Sequence, residues 1–173
     1  MAFGLLVQAP NLDAGCTKQR YGHMSAIDKM PETTCNCAAI RQAARRVTRL
    51  YDQALAPTGL RITQLPILAG LAATGPATMG ALAERMVMDR ATLGHNLRPL
   101  EADGLVTMSV GADRRSRVVS LTPAGRQKLA EARPLWRAAQ QAFESTFGSD
   151  DAAALRATMT RVARLDFPSI VGT

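Results

Sequence analysis

The chain is predicted to fold as a mainly α, α+β winged helix: a helix, a helix-turn-helix, a β-hairpin wing and two C-terminal helices. Three observations lead there. Between Met79 and Thr122, two short helical patterns are followed by two short strand patterns of period two. The loop joining the strands, Asp113-Arg114-Arg115-Ser116-Arg117, is dense in arginine. Longer segments on both sides carry apolar residues at steps of three and four. A strand pair with so basic a tip, placed directly after a helix-turn-helix, outlines a nucleic-acid-binding module.

Residues 1–34 show no sustained period and hold Pro10, Gly15, Gly22 and Pro31 among polar residues, which reads as an arm. Gly22-His23-Met24 has the form left by tag cleavage before a native start, so the arm is either partly appended or a genuine extension. From Cys35 to Ala56, Ile40, Ala44, Val47, Tyr51 and Ala54/Leu55 share one helical face, and Pro57 with Gly59 ends the helix. Thr63 is the expected N-cap of the next helix, with Leu65, Leu68, Leu71 and Ala72 inward and Gly75-Pro76 as its stop. Thr78 caps a third, whose buried side is Met79, Leu82, Ala83 and Met86. Asp89 caps a fourth, with Leu93, Leu97 and Leu100 at i, i+4 and i+7 and Gly104 after its end.

The period then changes to two over Leu105–Val110 and Val118–Leu121, the two strands of the wing. Thr122-Pro123 opens a long helix in which Leu129, Ala132, Trp136, Ala139 and Phe143 form nearly a heptad seam, closed by Gly148. Ser149 with Asp150 and Asp151 is expected to cap a last helix bearing Leu155, Met159, Val162 and Leu165. So small a module cannot bury the apolar faces of its first and last helices, so residues 35–56 and 123–167 are expected to pair with a second copy. Residues 57–122 form the winged helix-turn-helix between them.

The 173 residues, 47% hydrophobic, suffice for one compact domain with appendages. The net charge is +7, and 18 of the 21 basic residues are arginine, the side chain whose fork fits phosphates and guanine edges. Bulk charge favours a polyanionic partner without deciding it, since from Glu84 to Arg117 six arginines face five acids. Placement of the arginines therefore carries the expectation of DNA binding. No apolar run approaches the roughly 18 residues of a membrane span, and a cytoplasmic protein is expected. Two histidines, no nucleophile with a nearby base and no phosphate-cradling glycine loop leave no basis for an enzyme, and no cofactor or metal site is expected.

The ordered set Gly59-Leu60-x-x-x-Gln64, Leu82-Ala83-Glu84-Arg85, Met88-Asp89-Arg90-x-Thr92-Leu93, Leu100-Glu101-x-x-Gly104-Leu105-Val106, Asp113-Arg114-Arg115 and Leu121-Thr122-x-x-Gly125 resembles the MarR family of bacterial transcription regulators. The likeness runs from about Cys35 to Leu165 and leaves out the leading arm. It implies a homodimer with interlocked terminal helices, two winged lobes on a pseudo-palindromic duplex, and a small-molecule or oxidant signal that changes lobe spacing. It also implies that Asp113 fixes Arg115 for insertion into the minor groove. The expected function is a sequence-specific DNA-binding regulator, a repressor released by an aromatic or anionic ligand or by cysteine oxidation. The alternative is a winged helix that docks another protein.

On the fourth helix the inward leucines leave Arg90, Thr92, Gly94, His95 and Arg98 as groove-facing candidates. Arg90 can read guanine, clamp a phosphate or pair with Glu84 or Asp89. Thr92 can meet a thymine methyl or a phosphate, or bond its own backbone. Gly94, costly inside a helix, implies either close approach to a phosphate or tight packing on the preceding helix. His95 either contacts DNA or is merely solvated, and Pro99 should bend the helix or end its regular part. In the wing, Arg114 and Arg117 are expected on phosphates.

Arg41, Arg45 and Arg49 line one side of the first helix and need acidic partners, with Glu131 or Glu144 of a second copy the first choice and an anionic effector the second. Arg46, Tyr51 and Trp136 are the candidate effector-pocket residues, the two aromatics having core or interface packing as the alternative. Cys35 and Cys37, at the start of the first helix, read as a redox sensor, as a metal site, disfavoured because no His lies at ligand spacing and Cys16 is the only other thiol, or as unremarkable buried thiols.

Overall fold

The computed structural model describes residues 33–111, 113 and 116–168. Apart from Thr33 and Thr34, the arm expected over 1–34 lies outside the described residues. Six α-helices are present in them: α1 Asn36–Leu55, α2 Leu65–Thr74, α3 Met79–Arg85, α4 Arg90–Ala102, α5 Pro123–Phe147 and α6 Ser149–Ala163. Three strands, β1 Ala77–Thr78, β2 Val106–Val110 and β3 Arg117–Leu121, form an antiparallel sheet in the order β1-β3-β2. The wing is in register from Val106 opposite Leu121 to Val110 opposite Arg117.

The core is built where leucine periodicity from several elements converges. Leu55, Leu68, Leu82, Leu93, Leu97 and Leu100 are fully enclosed, together with Val106 and Val119 of the sheet. Burial on this scale contributes about 25 cal/mol per Å² of apolar surface, which is why α2, α3 and α4 hold together although each is short. Capping fixes their directions. The Thr78 hydroxyl accepts from the Ala81 amide at 3.2 Å, and the Asp89 carboxylate from the Thr92 amide at 2.7 Å. At the far end of α4, Gly104 is left-handed (φ 68°), with Leu105 N donating to Leu100 O at 2.8 Å and Gly104 N to Glu101 O at 2.9 Å. This Schellman arrangement turns the chain into the wing.

Several expectations need correction. Thr63 does not cap α2; the preceding position is Gln64, which is buried, and its Oε1 accepts from the Arg61 amide at 2.9 Å. Residues 61–64 thus close on themselves as a turn, anchored to α1 by Ile62 N donating to Asp52 Oδ1 at 2.7 Å. Ser149 is the first residue of α6, and the capping position belongs to Gly148 at φ 99°; Asp150 and Asp151 do occupy the first turn. Strand β1 is absent from the sequence reading, because two residues give no period; it exists by pairing Ala77 with Val119 and Thr78 with Val118. Pro99 does not end α4, which continues to Ala102. On α2, Ala72 is exposed and Ile67 is buried instead.

The terminal helices differ most from a self-contained fold. Of the apolar face expected on α1, Tyr51 and Leu55 are buried, whereas Ile40 is 42% exposed. Helix α6 buries only Ala152, leaving Leu155 and Met159 on the surface.

Candidate nucleic-acid interface

Helix α4 is held by its leucines, each fully buried, so the rest of its circumference faces outward. Arg90, Thr92, His95 and Arg98 are exposed and Gly94 is half-buried, the disposition expected of a reading face. The Arg90 guanidinium lies over Gly80 at the start of α3, where an added β-carbon would stand 3.7 Å from its Nη2. The Arg90 side chain thus lies beside the first turn of α3. A β-carbon built on Gly94 meets nothing within 4 Å. Packing on the preceding helix therefore does not explain this glycine.

Thr92 is more constrained than its sequence context implied. Its amide donates to Asp89 Oδ1 and its hydroxyl to Asp89 Oδ2, both at 2.7 Å. These two bonds hold the Asp89 carboxyl below the usual carboxylate range, the amide contributing most. One turn on, Asn96 Nδ2 donates to Thr92 O at 2.9 Å, which places an amide side chain beside the same face. Asn96 is not among the groove-facing candidates of the sequence, where its i+4 spacing from Thr92 is the available signal.

The wing closes by short-range bonds. Gly111 N donates to Ser116 O at 3.0 Å, while Ser116 N and Oγ both donate to Asp113 O at 2.8 Å. Arg117 is exposed at the start of β3, opposite Val110. Asp113 is exposed at the tip, and Arg114 and Arg115 lie outside the described residues.

The expected effector residues do not share one pocket. Tyr51 lines a cavity of about 480 Å³ between α1, α5 and α6, with Ile40, Val47, Phe143, Leu155 and Met159. Trp136 lines another of about 530 Å³ between α2 and α5, with Ile62, Leu65, Pro66, Arg133 and Arg137. Arg46 lines neither. Chemical type alone groups these residues, whereas the helices deliver Tyr51 and Trp136 to different clefts. The Tyr51 hydroxyl bonds Gln140 Oε1, and burial, reinforced by Glu144 and opposed by Arg156, raises its pKa. Gln140 Nε2 in turn donates to Glu144 at 2.8 Å, as does Arg156 Nη1.

Cys35 and Cys37 are both exposed in the single chain, and they border a hollow with Arg41 and Arg45. Within the chain, Glu131 pairs with Lys128 at 2.9 Å and Glu144 with Arg156 at 2.8 Å. Arg41, Arg45 and Arg49 line a shallow surface hollow of their own with Ala44 and Thr48. Among the described residues no helix is long and apolar enough to cross a membrane.

Residues 58–116 match the sequence model of the MarR family. Among solved structures, the transcriptional regulator MosR of M. tuberculosis in complex with DNA is 37% identical, superposes with a TM-score of 0.63, and the match covers 76% of this chain and 99% of that one. CouR, a transcriptional repressor bound to a 23-mer DNA duplex, is 27% identical with a TM-score of 0.68, covering 75% and 93%. BpsR of Bordetella bronchiseptica, whose DNA binding is regulated by 6-hydroxynicotinic acid, is 25% identical with a TM-score of 0.67, covering 79% and 100%. With this likeness running through the helix-turn-helix, the wing and the terminal helices, the chain belongs to the MarR family of DNA-binding transcriptional regulators.

Proposed function

We propose that the chain acts as a homodimeric repressor on a pseudo-palindromic operator. Residues 35–56 and 123–167 serve as the dimerisation region, and 57–122 as the DNA-binding lobe. The observation that carries this reading is the outward apolar surface of α1 and α6, where Ile40, Leu155 and Met159 surround one open cavity. Apolar surface of this kind is covered in stable proteins, and a second copy supplies the matching face by two-fold symmetry. The α4 residues Arg90, Thr92, Gly94, His95 and Arg98 meet the major groove. Arg115, oriented by Asp113, enters the minor groove, and Arg114 and Arg117 contact phosphates.

Release follows when a small aromatic anion occupies the cavity between α2 and α5. Leu65, Pro66 and Leu129 provide an apolar floor, Trp136 a stacking face, and Arg133 and Arg137 the cationic rim. Since α2 belongs to the DNA lobe and α5 to the dimer region, a ligand wedged between them biases lobe spacing. The regulation of BpsR by an aromatic carboxylic acid agrees with that chemistry. A second trigger, oxidation of Cys35 and Cys37, draws support from their joint exposure beside Arg41 and Arg45.

Light scattering on the purified chain, combined with anisotropy on a duplex selected from a random pool, tests the proposal. A dimer that binds the duplex and leaves it on addition of 6-hydroxynicotinate or a related aryl carboxylate is expected. A monomer that binds the duplex one to one would contradict it. A peroxide titration addresses the second trigger: loss of thiols with unchanged DNA affinity rules it out.

A further inference from the structure

The bonds at the start of α4 restrict what Thr92 can offer a base. An ionised carboxylate only accepts, and Asp89, an exposed aspartate whose pKa is lowered further by the bonds from Thr92, is ionised at neutral pH. The single hydroxyl hydrogen of Thr92 is therefore already given, and it has none left for a phosphate oxygen, a guanine acceptor or a thymine carbonyl. The adjacent carboxylate also repels a phosphate at the same spot. A base amine approaching the hydroxyl oxygen would meet the charged Asp89, the stronger acceptor, 2.7 Å away. What remains on this exposed side chain is its methyl group.

We propose that Thr92 reads the 5-methyl group of a thymine, with Asp89 as the positioning residue that turns the hydroxyl out of use. The inference rests on α4 entering the major groove. There the thymine methyl is the one apolar feature of the base edges, and a threonine methyl is among its recurrent partners. The open space at Gly94, where a built β-carbon meets nothing within 4 Å beyond its own helical turn, lets the backbone of that turn approach the groove closely.

The test uses the full chain and a duplex selected from a random pool, in which thymines are replaced one position at a time, in both half-sites, by deoxyuridine, which lacks only that methyl. The wild type is expected to lose about fourfold in affinity per half-site at one thymine position, the worth of one buried methyl. Thr92→Ser keeps the hydroxyl and both bonds to Asp89, and should bind thymine and uracil duplexes alike. Thr92→Val keeps a methyl and should remain sensitive to uracil, with a thermal melt confirming that each variant is folded. Indifference of the wild type to every uracil replacement, a Thr92→Ser variant as sensitive as the wild type, or an insensitive Thr92→Val variant overturns the proposal. Sequence-specific binding without methyl sensitivity removes only the role of Thr92. Failure to select any preferred sequence removes the groove reading itself and the proposal with it.

Discussion

The β-carbon that Gly125 lacks would stand 2.1 Å from the carbonyl oxygen of Leu105, so the first turn of α5 rests directly on the backbone leaving α4. Thr122 completes the joint: its amide donates to Leu105 O at 3.1 Å, its hydroxyl to Gly104 O at 2.7 Å, and it accepts from Gly125 N at 3.0 Å. Two motifs 17 residues apart, Gly104-Leu105-Val106 and Leu121-Thr122-x-x-Gly125, are therefore two sides of one contact. That contact fixes the base of the wing relative to α5.

Because the obstructing atom is backbone, Gly125→Ala cannot be relieved by a rotamer change. It should cost about 1–3 kcal/mol, the usual penalty of overpacking. Urea unfolding checks this, and at a permissive temperature DNA affinity should fall with it, since the wing base moves. Unchanged stability would mean that the joint is looser than its geometry implies.

Gly94 should behave in the opposite way. Gly94→Ala fills open space and gains helix propensity, so stability should rise by up to about 1 kcal/mol. Affinity for the selected duplex should nevertheless fall, because the added methyl occupies the approach to the groove. A variant that gains stability and keeps full affinity would show that this glycine has no part in binding.

The Asp89 cap predicts a pH dependence. Its folded pKa is lowered, chiefly by the Thr92 amide, so the stabilisation is present above the unfolded value of about 3.9. It is lost as pH falls through the folded value. Asp89→Asn should therefore melt below the wild type at pH 7 and converge with it in strong acid. A constant difference at all pH values would show that the charge plays no part.

Arg115→Ala should weaken operator binding at least about tenfold with the dimer intact, as loss of an arginine from a narrow minor groove implies. Arg117→Ala should instead lower affinity on every sequence and reduce the slope of log K against log salt by about one. If Arg117→Ala alters sequence preference, the division of roles within the wing is wrong.

Much of this fold was legible because its signals are local. Thr78, Asp89 and Thr122 announce helix starts by residue type, the leucines of α4 repeat at 3.6-residue spacing, and the wing alternates. What escaped depends on partners remote in sequence. Strand β1 is strand only by virtue of β3, and Gln64 displaces Thr63 as the residue before α2 because a buried side chain closes the preceding turn. The outward face of α4 follows from the leucines opposite it, whereas the second bond, from the Thr92 hydroxyl to Asp89, does not, since Asp89-x-x-Thr92 is also an ordinary capping spacing. Tyr51 and Trp136 are alike in chemistry, and which cleft each enters depends on how α2 and α6 pack on α5.

The most direct test of the central claim is the stoichiometry and salt dependence of binding to a duplex selected from a random pool. Two chains per duplex are expected, with affinity falling by orders of magnitude between about 50 and 200 mM salt and a clear preference over scrambled sequence. One chain per duplex, or an affinity indifferent to both salt and sequence, would contradict it.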